Sequence, residues 1–229
     1  MTAEADPASP PAPPYPPPPP SSSCAPPAAS CAPPTALTER QEARRRNILG
    51  AATRLACRGG FDAVQMREVA EEAGVALGTL YRYFPSKIHL LVATTLDQLE
   101  QLHATLRERP PSGGGAAERV AETLLRACRA LQRDPYLADA MFRALTFADR
   151  SVSAEVAAVS RRTTAIVLEA MGPDVGPHGP TPEQLSAVRV VVHTWHAALI
   201  SRLAGRASIE EVRADIATVC RLIELTTPR

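Results

Sequence analysis

Between Met66 and Lys87 the chain reads MREVAEEAGVALGTLYRYFPSK, and within that run Ala70, Gly74 and Leu80 stand four and six residues apart. A small residue lets a following helix cross closely, a glycine supplies the left-handed backbone of a tight turn, and a leucine anchors the second helix from beneath. The spacing predicts two short helices, about Met66 to Ala73 and Leu77 to Tyr83, the second stopped by Pro85. A unit of this shape is a helix-turn-helix, whose second helix fits a DNA major groove about 12 Å wide.

The flanking sequence is helical as well. Thr38 with Glu39-Arg40-Gln41 opens a helix in which Ile48, Ala52, Leu55 and Ala56 recur until Gly59-Gly60 breaks it, with Phe61 and Val64 following in a turn. Ser86 caps a longer helix carrying Leu91, Leu99, Leu102 and Leu106, which ends near Pro110-Pro111 and the Gly113-Gly114-Gly115 hinge. Further helices are expected at about Ala116 to Arg133, Leu137 to Phe147 and Ser153 to Met171, Pro135 separating the first two. Gly172 to Pro180 reads as a loop. Thr181-Pro182-Glu183 then starts another helix, and Ser208 with Glu211 forms a capping box for the last. No segment alternates with the period of a strand, so the fold class is all-α.

The last two helices carry long apolar stripes, Val188, Val192, Trp195 and Leu199 in one and Val212, Ile216, Val219 and Ile223 in the other. Two adjacent helices with sustained seven-residue spacing can pack against a copy of themselves, which implies a homodimer through these eight residues. The alternative is that both stripes are consumed by the protomer's own core, which has the same period.

Composition sets the domain boundaries. Fourteen of the 23 prolines precede Thr35, in a stretch with almost no large apolar residues, so residues 1–36 are expected to form a disordered tail. Residues 37–90 are then a DNA-binding head and 91–229 a ligand-binding and dimerisation body. The tail lacks the basic start and apolar run of a signal peptide, and no segment reaches the roughly 20 apolar residues of a membrane span. A cytoplasmic protein with no membrane partner is expected. Its five cysteines show no short paired spacing, so no metal or cofactor is expected; Cys57, Cys128 and Cys220 fall in helical patterns as small hydrophobes. The formal charge is only +1, yet segment 38–90 holds nine basic against six acidic residues, with Arg44-Arg45-Arg46 and the pair Arg82 and Lys87 placed to meet phosphates.

The continuation AGVALGTLYRYFPSK resembles the recognition-helix signature of TetR-type repressors, from Gln41 to about Ala93 with high specificity and beyond that in helix order. The resemblance implies about nine helices, with three on DNA and a C-terminal bundle for ligand and dimer. Carried over by position, Leu77 and Gly78 lie against base edges, and Thr79, Tyr81, Tyr83 and Lys87 reach phosphates. Gln65 and Met66 approach the backbone at the positive end of the second helix. The tyrosines suit this role, since a phenol donates to phosphate oxygen and sets register while bases decide sequence. Phe84 reads as core. The runs LQRDPYLADAMFRALTFADRS and RASIEEV resemble the branch of that family that represses sterol-degradation genes in actinobacteria. What this implies is a palindromic double-stranded operator and release by a steroid-acid CoA thioester. The sequence departs from that branch in the tail and in much of the C-terminal half.

Met141, Phe142, Leu145, Phe147, Ile166, Met171 and Trp195 would suit a lipophilic pocket, or ordinary core. Arg126, Arg129, Arg143, Arg161 and Arg162 are candidates to steer a CoA phosphate, or are solvated surface. His193 and His196 lie three apart without a third metal ligand nearby, which favours packing or hydrogen bonding. No nucleophile elbow or phosphate loop supports catalysis, and the glycine hinge lacks the lysine of a P-loop. The expected mechanism is a ligand-driven shift in the distance between two recognition helices, which must match half-sites roughly 34 to 36 Å apart. A hinge in the fourth helix would carry it. The alternatives are a regulator released by a fatty acyl-CoA or a drug and, further off, a lipid carrier or an enzyme.

Overall fold

In the computed structural model residues 38–226 are described. The proline-rich run, with Cys24 and Cys31, lies outside the described residues, as does the expectation of disorder there. Among the described residues the elements are α-helical with two short 3-10 turns: α1 (Glu39–Ala63), α2 (Met66–Glu72), α3 (Leu77–Tyr83), α4 (Lys87–Glu108), α5 (Ala116–Arg133), α6 (Pro135–Thr146), α7 (Ser153–Met171), α8 (Pro182–Leu203) and α9 (Ile209–Glu224).

Helix starts follow local chemistry. Thr38 accepts from Gln41 N at 3.3 Å while the Gln41 side chain accepts from Thr38 N at 2.8 Å, and the same reciprocal box forms at Thr181 with Gln184 and at Ser208 with Glu211. Pro135 separates α5 from α6 as expected and itself opens α6, two residues ahead of the expected start, where its missing N–H removes no helical bond. The C-terminal end of α7 is closed by Arg119 of α5, which donates to the carbonyl of Ala170 at 3.0 Å, to that of Met171, and to Asp174.

Two glycines decide how α1 is used. Gly59 and Gly60 leave helical geometry, as the sequence implies, and Gly60 sits at φ +67°. A Cβ at Gly60 would stand 3.3 Å from the Asp139 carboxylate and 3.6 Å from the Tyr136 carbonyl, so its absence lets α6 pack closely against the end of α1.

The interior forms two clusters. One runs from Ile48 and Leu55 of α1 through Val69, Leu80 and Leu91 to Met141 of α6 and Val159 of α7. The other joins Val120 and Leu124 of α5, Met171 of α7, Val188 and Trp195 of α8, and Ile216 of α9. Leu102 and Leu131 touch both. The three-helix head therefore shares its core with α4, α6 and α7. Among the described residues no helix is long and apolar enough to cross a membrane.

Candidate nucleic-acid interface and ligand cavity

The turn between α2 and α3 is built by the three residues that defined it in sequence. Ala70 and Leu80 are buried, Gly74 takes φ +65°, and Val75 N closes the turn onto the Ala70 carbonyl at 2.9 Å. Glu72 fastens α2 to α1: Arg54 Nε meets its Oε1 at 2.7 Å and Arg58 its other oxygen. The Arg54 hydrogen bond, seconded by Arg58, holds the Glu72 carboxyl below the usual carboxylate range. Sequence reasoning missed this ion triad, since the partners stand 18 and 14 residues apart.

With Leu80 facing inward, α3 exposes the opposite side. Leu77 is 40% and Tyr81 46% exposed, Arg82 is exposed, and a Cβ at Gly78 would meet nothing within 4 Å. Thr79, Tyr83 and Arg44 are half-buried. Gln65 is exposed at the start of α2 and donates its amide to the Asp62 carbonyl at 2.9 Å. Two side chains pack against the protein itself. The Met66 side chain packs against the core, so this position can offer only its backbone to a phosphate. Lys87 is half-buried, its ammonium 4.0 Å from the centre of the Phe61 ring, where burial pushes its pKa down, Asp62 raises it and Arg143 lowers it. Phe84 is core, as expected, and Arg45 lies 5.7 Å over its ring.

A cavity of about 240 Å³ opens between α4, α5, α6, α7 and α8. Met141, Phe142, Leu145 and Trp195 line it as expected. Phe147 does not: it is 56% exposed and packs edge-on to Phe61 at 5.7 Å, because α6 ends one residue before it. Ile166 lines a different, smaller cavity, and Met171 is buried in the second cluster. The sequence reading missed the α4 wall, Thr95, Gln98, Leu99, Leu102 and Thr105, whose polar members interrupt the apolar stripe that gave the helix away. It also underrated His196, which lines the cavity against Phe142 (6.1 Å) and Trp195 (5.1 Å). Burial, then His193, pushes His196 down to about 4, so at neutral pH it presents one donor and one acceptor without charge. Trp195 Nε1 donates to Cys128 Sγ at 3.1 Å, which fixes the indole.

Several candidate arginines are engaged elsewhere. Arg126 meets Glu122, Arg143 meets Asp62 at 3.0 Å, and Arg162 meets Glu100 at 2.9 Å. Arg129 and Arg161 are exposed.

The expected dimer residues require correction. Val188, Val192, Trp195, Leu199, Val212, Ile216, Val219 and Ile223 are all at most 8% exposed in a single protomer, packed among α5, α7, α8 and α9. Their period is that of the protomer's own core. What α8 and α9 leave outside is a second set of apolar residues: Leu185, Val190 and Ile200 on α8, and Leu222 and Leu225 on or just after α9.

Comparison with known proteins agrees with this architecture. Residues 48–94 match the family described as bacterial regulatory proteins, tetR family, and residues 113–223 match the tetracyclin repressor-like C-terminal domain. The chain is 44% identical over 172 residues to the HTH-type transcriptional repressor KstR of Rhodococcus jostii (strain RHA1), covering 75% of this chain and 78% of that one. It is 39% identical over 186 residues to KstR of Mycolicibacterium smegmatis (strain ATCC 700084 / mc(2)155), covering 81% and 89%. Among solved structures, a TetR transcriptional regulator from Rhodococcus sp. RHA1 superposes with a TM-score of 0.74 at 39% identity, over 81% of this chain and 97% of that one.

Proposed function

The chain belongs to the TetR family and is a transcriptional repressor similar to KstR, not an enzyme; from that premise we propose that it binds a palindromic operator as a homodimer and is released by a lipophilic effector, a steroid-acid CoA thioester, so as to control genes of sterol and lipid catabolism. The observation that carries the DNA reading is α3 itself, seven residues long, held from beneath by buried Leu80 while Leu77 and Tyr81 stand exposed. Apolar and aromatic side chains on so short an element suit contact with base edges and phosphates. Gly78 lets the backbone approach, and Gln65, Arg82 and the half-buried Arg44, Thr79 and Tyr83 complete the surface. The domain division into head and body follows this use, although the two share one core. A cytoplasmic location fits it.

Dimerisation is assigned to the outer faces of α8 and α9, through Val190, Ile200 and Leu222 in place of the stripe beneath them. Release then follows from what α6 touches. Its Leu137, Met141 and Leu145 line the cavity beside Trp195, while Tyr136, Asp139 and Arg143 lie against the end of α1. A ligand that favours one setting of α6 also favours one setting of the head, and α4, which begins at Lys87 and walls the cavity from Thr95 to Thr105, moves with it. Only a difference in affinity between the two settings drives the shift. Neutral His196 and the Gln98 amide give the cavity polar partners that carry no charge, with the exposed Arg133 and Asp134 its charged lining, which suits a lipid body with oxygen substituents.

The test is a gel-shift titration of a palindromic duplex from the upstream region of the protein's own gene. Binding abolished by a steroid-acid CoA thioester supports both parts. Binding abolished only by a fatty acyl-CoA keeps the repressor and replaces its effector, and no binding at low salt overturns the proposal.

A further inference from the structure

The cavity beside Trp195 is lined unevenly. Its exposed lining, Gln101, Thr105, Ala130, Arg133 and Asp134, comes from the C-terminal half of α4 and the corner between α5 and α6. Its buried lining, Leu99, Met141, Val159, Thr163 and Trp195 among it, reaches α6, α7 and α8. The cavity thus opens at the α5–α6 corner and deepens toward α7 and α8. In its buried lining the donors are already spent inside the protein. Thr95 donates to the Leu91 carbonyl at 2.9 Å, Thr163 to the Val159 carbonyl at 3.0 Å, and Trp195 Nε1 to Cys128 Sγ at 3.1 Å.

His196 is the exception on this side. Its ring is set by two other lining residues, Phe142 edge-on at 6.1 Å and Trp195 at 5.1 Å. Neither ring nitrogen takes part in a hydrogen bond, and neither is sealed from contact as the Thr123 hydroxyl and Arg202 Nε are. The ring is neutral at pH 7, so one nitrogen donates and the other accepts. A ligand that displaces water from it without replacing the hydrogen bond leaves a polar atom unmet, whereas one with an oxygen in the right place does not. Gln98 of α4 also lines the cavity with a free amide, on a long chain that no ring contact holds in place.

We infer that His196 determines the specificity of this cavity, one of its ring nitrogens hydrogen-bonding an oxygen on the inner end of an apolar ring system whose other end faces the mouth at Arg133. For a CoA thioester this rests on the effector reading above; for the cavity and its preference for an oxygen it does not.

Titration calorimetry of the full chain with 2-decalone and with decalin, a bicyclic ketone and its hydrocarbon, isolates the oxygen. The parent is expected to bind the ketone. His196→Phe, which keeps a flat ring beside Phe142 and Trp195, is expected to bind it about five- to tenfold more weakly with decalin affinity unchanged. His196→Gln, which returns an amide donor, is expected to recover part of that loss. Ketone affinity equal in the parent and His196→Phe, ketone and decalin weakened alike, or no ketone binding by the parent overturns the proposal. A ketone preference that survives His196→Phe and disappears in Gln98→Ala gives the oxygen to Gln98 and overturns it too. The bearing on release is read from the operator complex, with a steroid-acid CoA thioester carrying a carbonyl on the ring farthest from the thioester and with its deoxo counterpart. His196→Phe is expected to raise the concentration needed for the first about five- to tenfold and to leave the second unchanged; an equal shift for both overturns the assignment of His196 to the effector's oxygen. Failure of both thioesters with 2-decalone binding and its loss in His196→Phe intact overturns the effector reading and leaves the His196 site standing.

Discussion

Phe61 is the point where the head, α4 and α6 meet, and a double-mutant cycle between Phe61→Leu and Lys87→Met measures how firmly. The Phe61 ring has the Lys87 ammonium 4.0 Å and the Arg143 guanidinium 4.8 Å from its centre, and the Phe147 ring edge-on at 5.7 Å. A cation over a phenyl ring in a partly desolvated setting contributes about 1 kcal/mol, and an edge-on aromatic pair about 0.5 to 1.5 kcal/mol. Leucine keeps much of the apolar contact, so Phe61→Leu is expected to cost about 2 kcal/mol and Lys87→Met, which keeps the stem, about 1 kcal/mol. The double variant should cost less than the two singles together by about 1 kcal/mol, because the shared contact is removed only once. Urea unfolding at one fixed protein concentration reads all four corners. Costs that add to within about 0.3 kcal/mol mean that the ring and the ammonium are not energetically joined. The same Lys87→Met variant settles the phosphate role expected from sequence: if Lys87 leaves Phe61 for a phosphate in the operator complex, the salt slope of binding falls by about 1. An unchanged slope removes Lys87 from the DNA contacts.

Gly74→Ala is expected to cost about 1 kcal/mol in thermal unfolding, from backbone strain alone, since a Cβ there meets nothing within 4 Å; a loss within a few tenths of zero would mean that the turn tolerates an ordinary residue. Val190→Glu with Ile200→Glu is expected to give a folded monomer by sedimentation, whereas Val188→Glu, buried at 0% exposure, is expected to unfold; a doubly substituted chain that still dimerises refutes the outer-face interface. His196 stays neutral in the folded chain down to about pH 4 but takes a proton near pH 6.5 when unfolded, so stability drops as pH falls through that window. The loss amounts to about 2 to 3 kcal/mol at pH 4.5. His196→Leu removes that component, so its urea midpoint should fall less than the parent's between pH 7 and pH 4.5, and equal falls would contradict it.

The head was legible in the sequence because its determinants are local. Thr38 with Gln41, Gly74 and Ser86 act within a few residues of where they stand, and Ala70, Gly74 and Leu80 define a turn that one stretch of chain closes by itself. The same holds for the Thr181 cap of α8 and the capping box of α9. What failed was the inference about which surface covers the last two helices. The stripe from Val188 to Ile223 has the seven-residue period of a helical seam, but periodicity reports only that a face is covered, not whether the cover is α5 and α7 of the same protomer or a second copy. A better signal lay one step around each helix. Val190 and Ile200 are apolar at positions the inner stripe does not need, and an amphipathic helix with only one partner has no use for them.

The Phe61 contact of Lys87 and the outward position of Phe147 were missed for a related reason. Each is decided by Phe61, which lies 26 residues from one and 86 from the other in sequence, and whose side chain is aimed by the break at Gly59-Gly60. That break also explains why α6 can serve two ends at once. Residues 137, 141 and 145 follow one face of α6 and reach the cavity, while 136, 139 and 143 follow the neighbouring face and reach α1. With a side chain at position 60 the second face would be held off by the Asp139 carboxylate and the Tyr136 carbonyl. Without one, α6 lies directly between whatever fills the cavity and the helix on which the DNA-reading pair is stapled, so a turn or slide of α6 that makes room for a ligand must either carry α1 with it or give up the Arg143 contacts to Asp62 and Phe61. The proposed coupling would therefore be a property of one helix with two occupied faces, and it would require no hinge within α4.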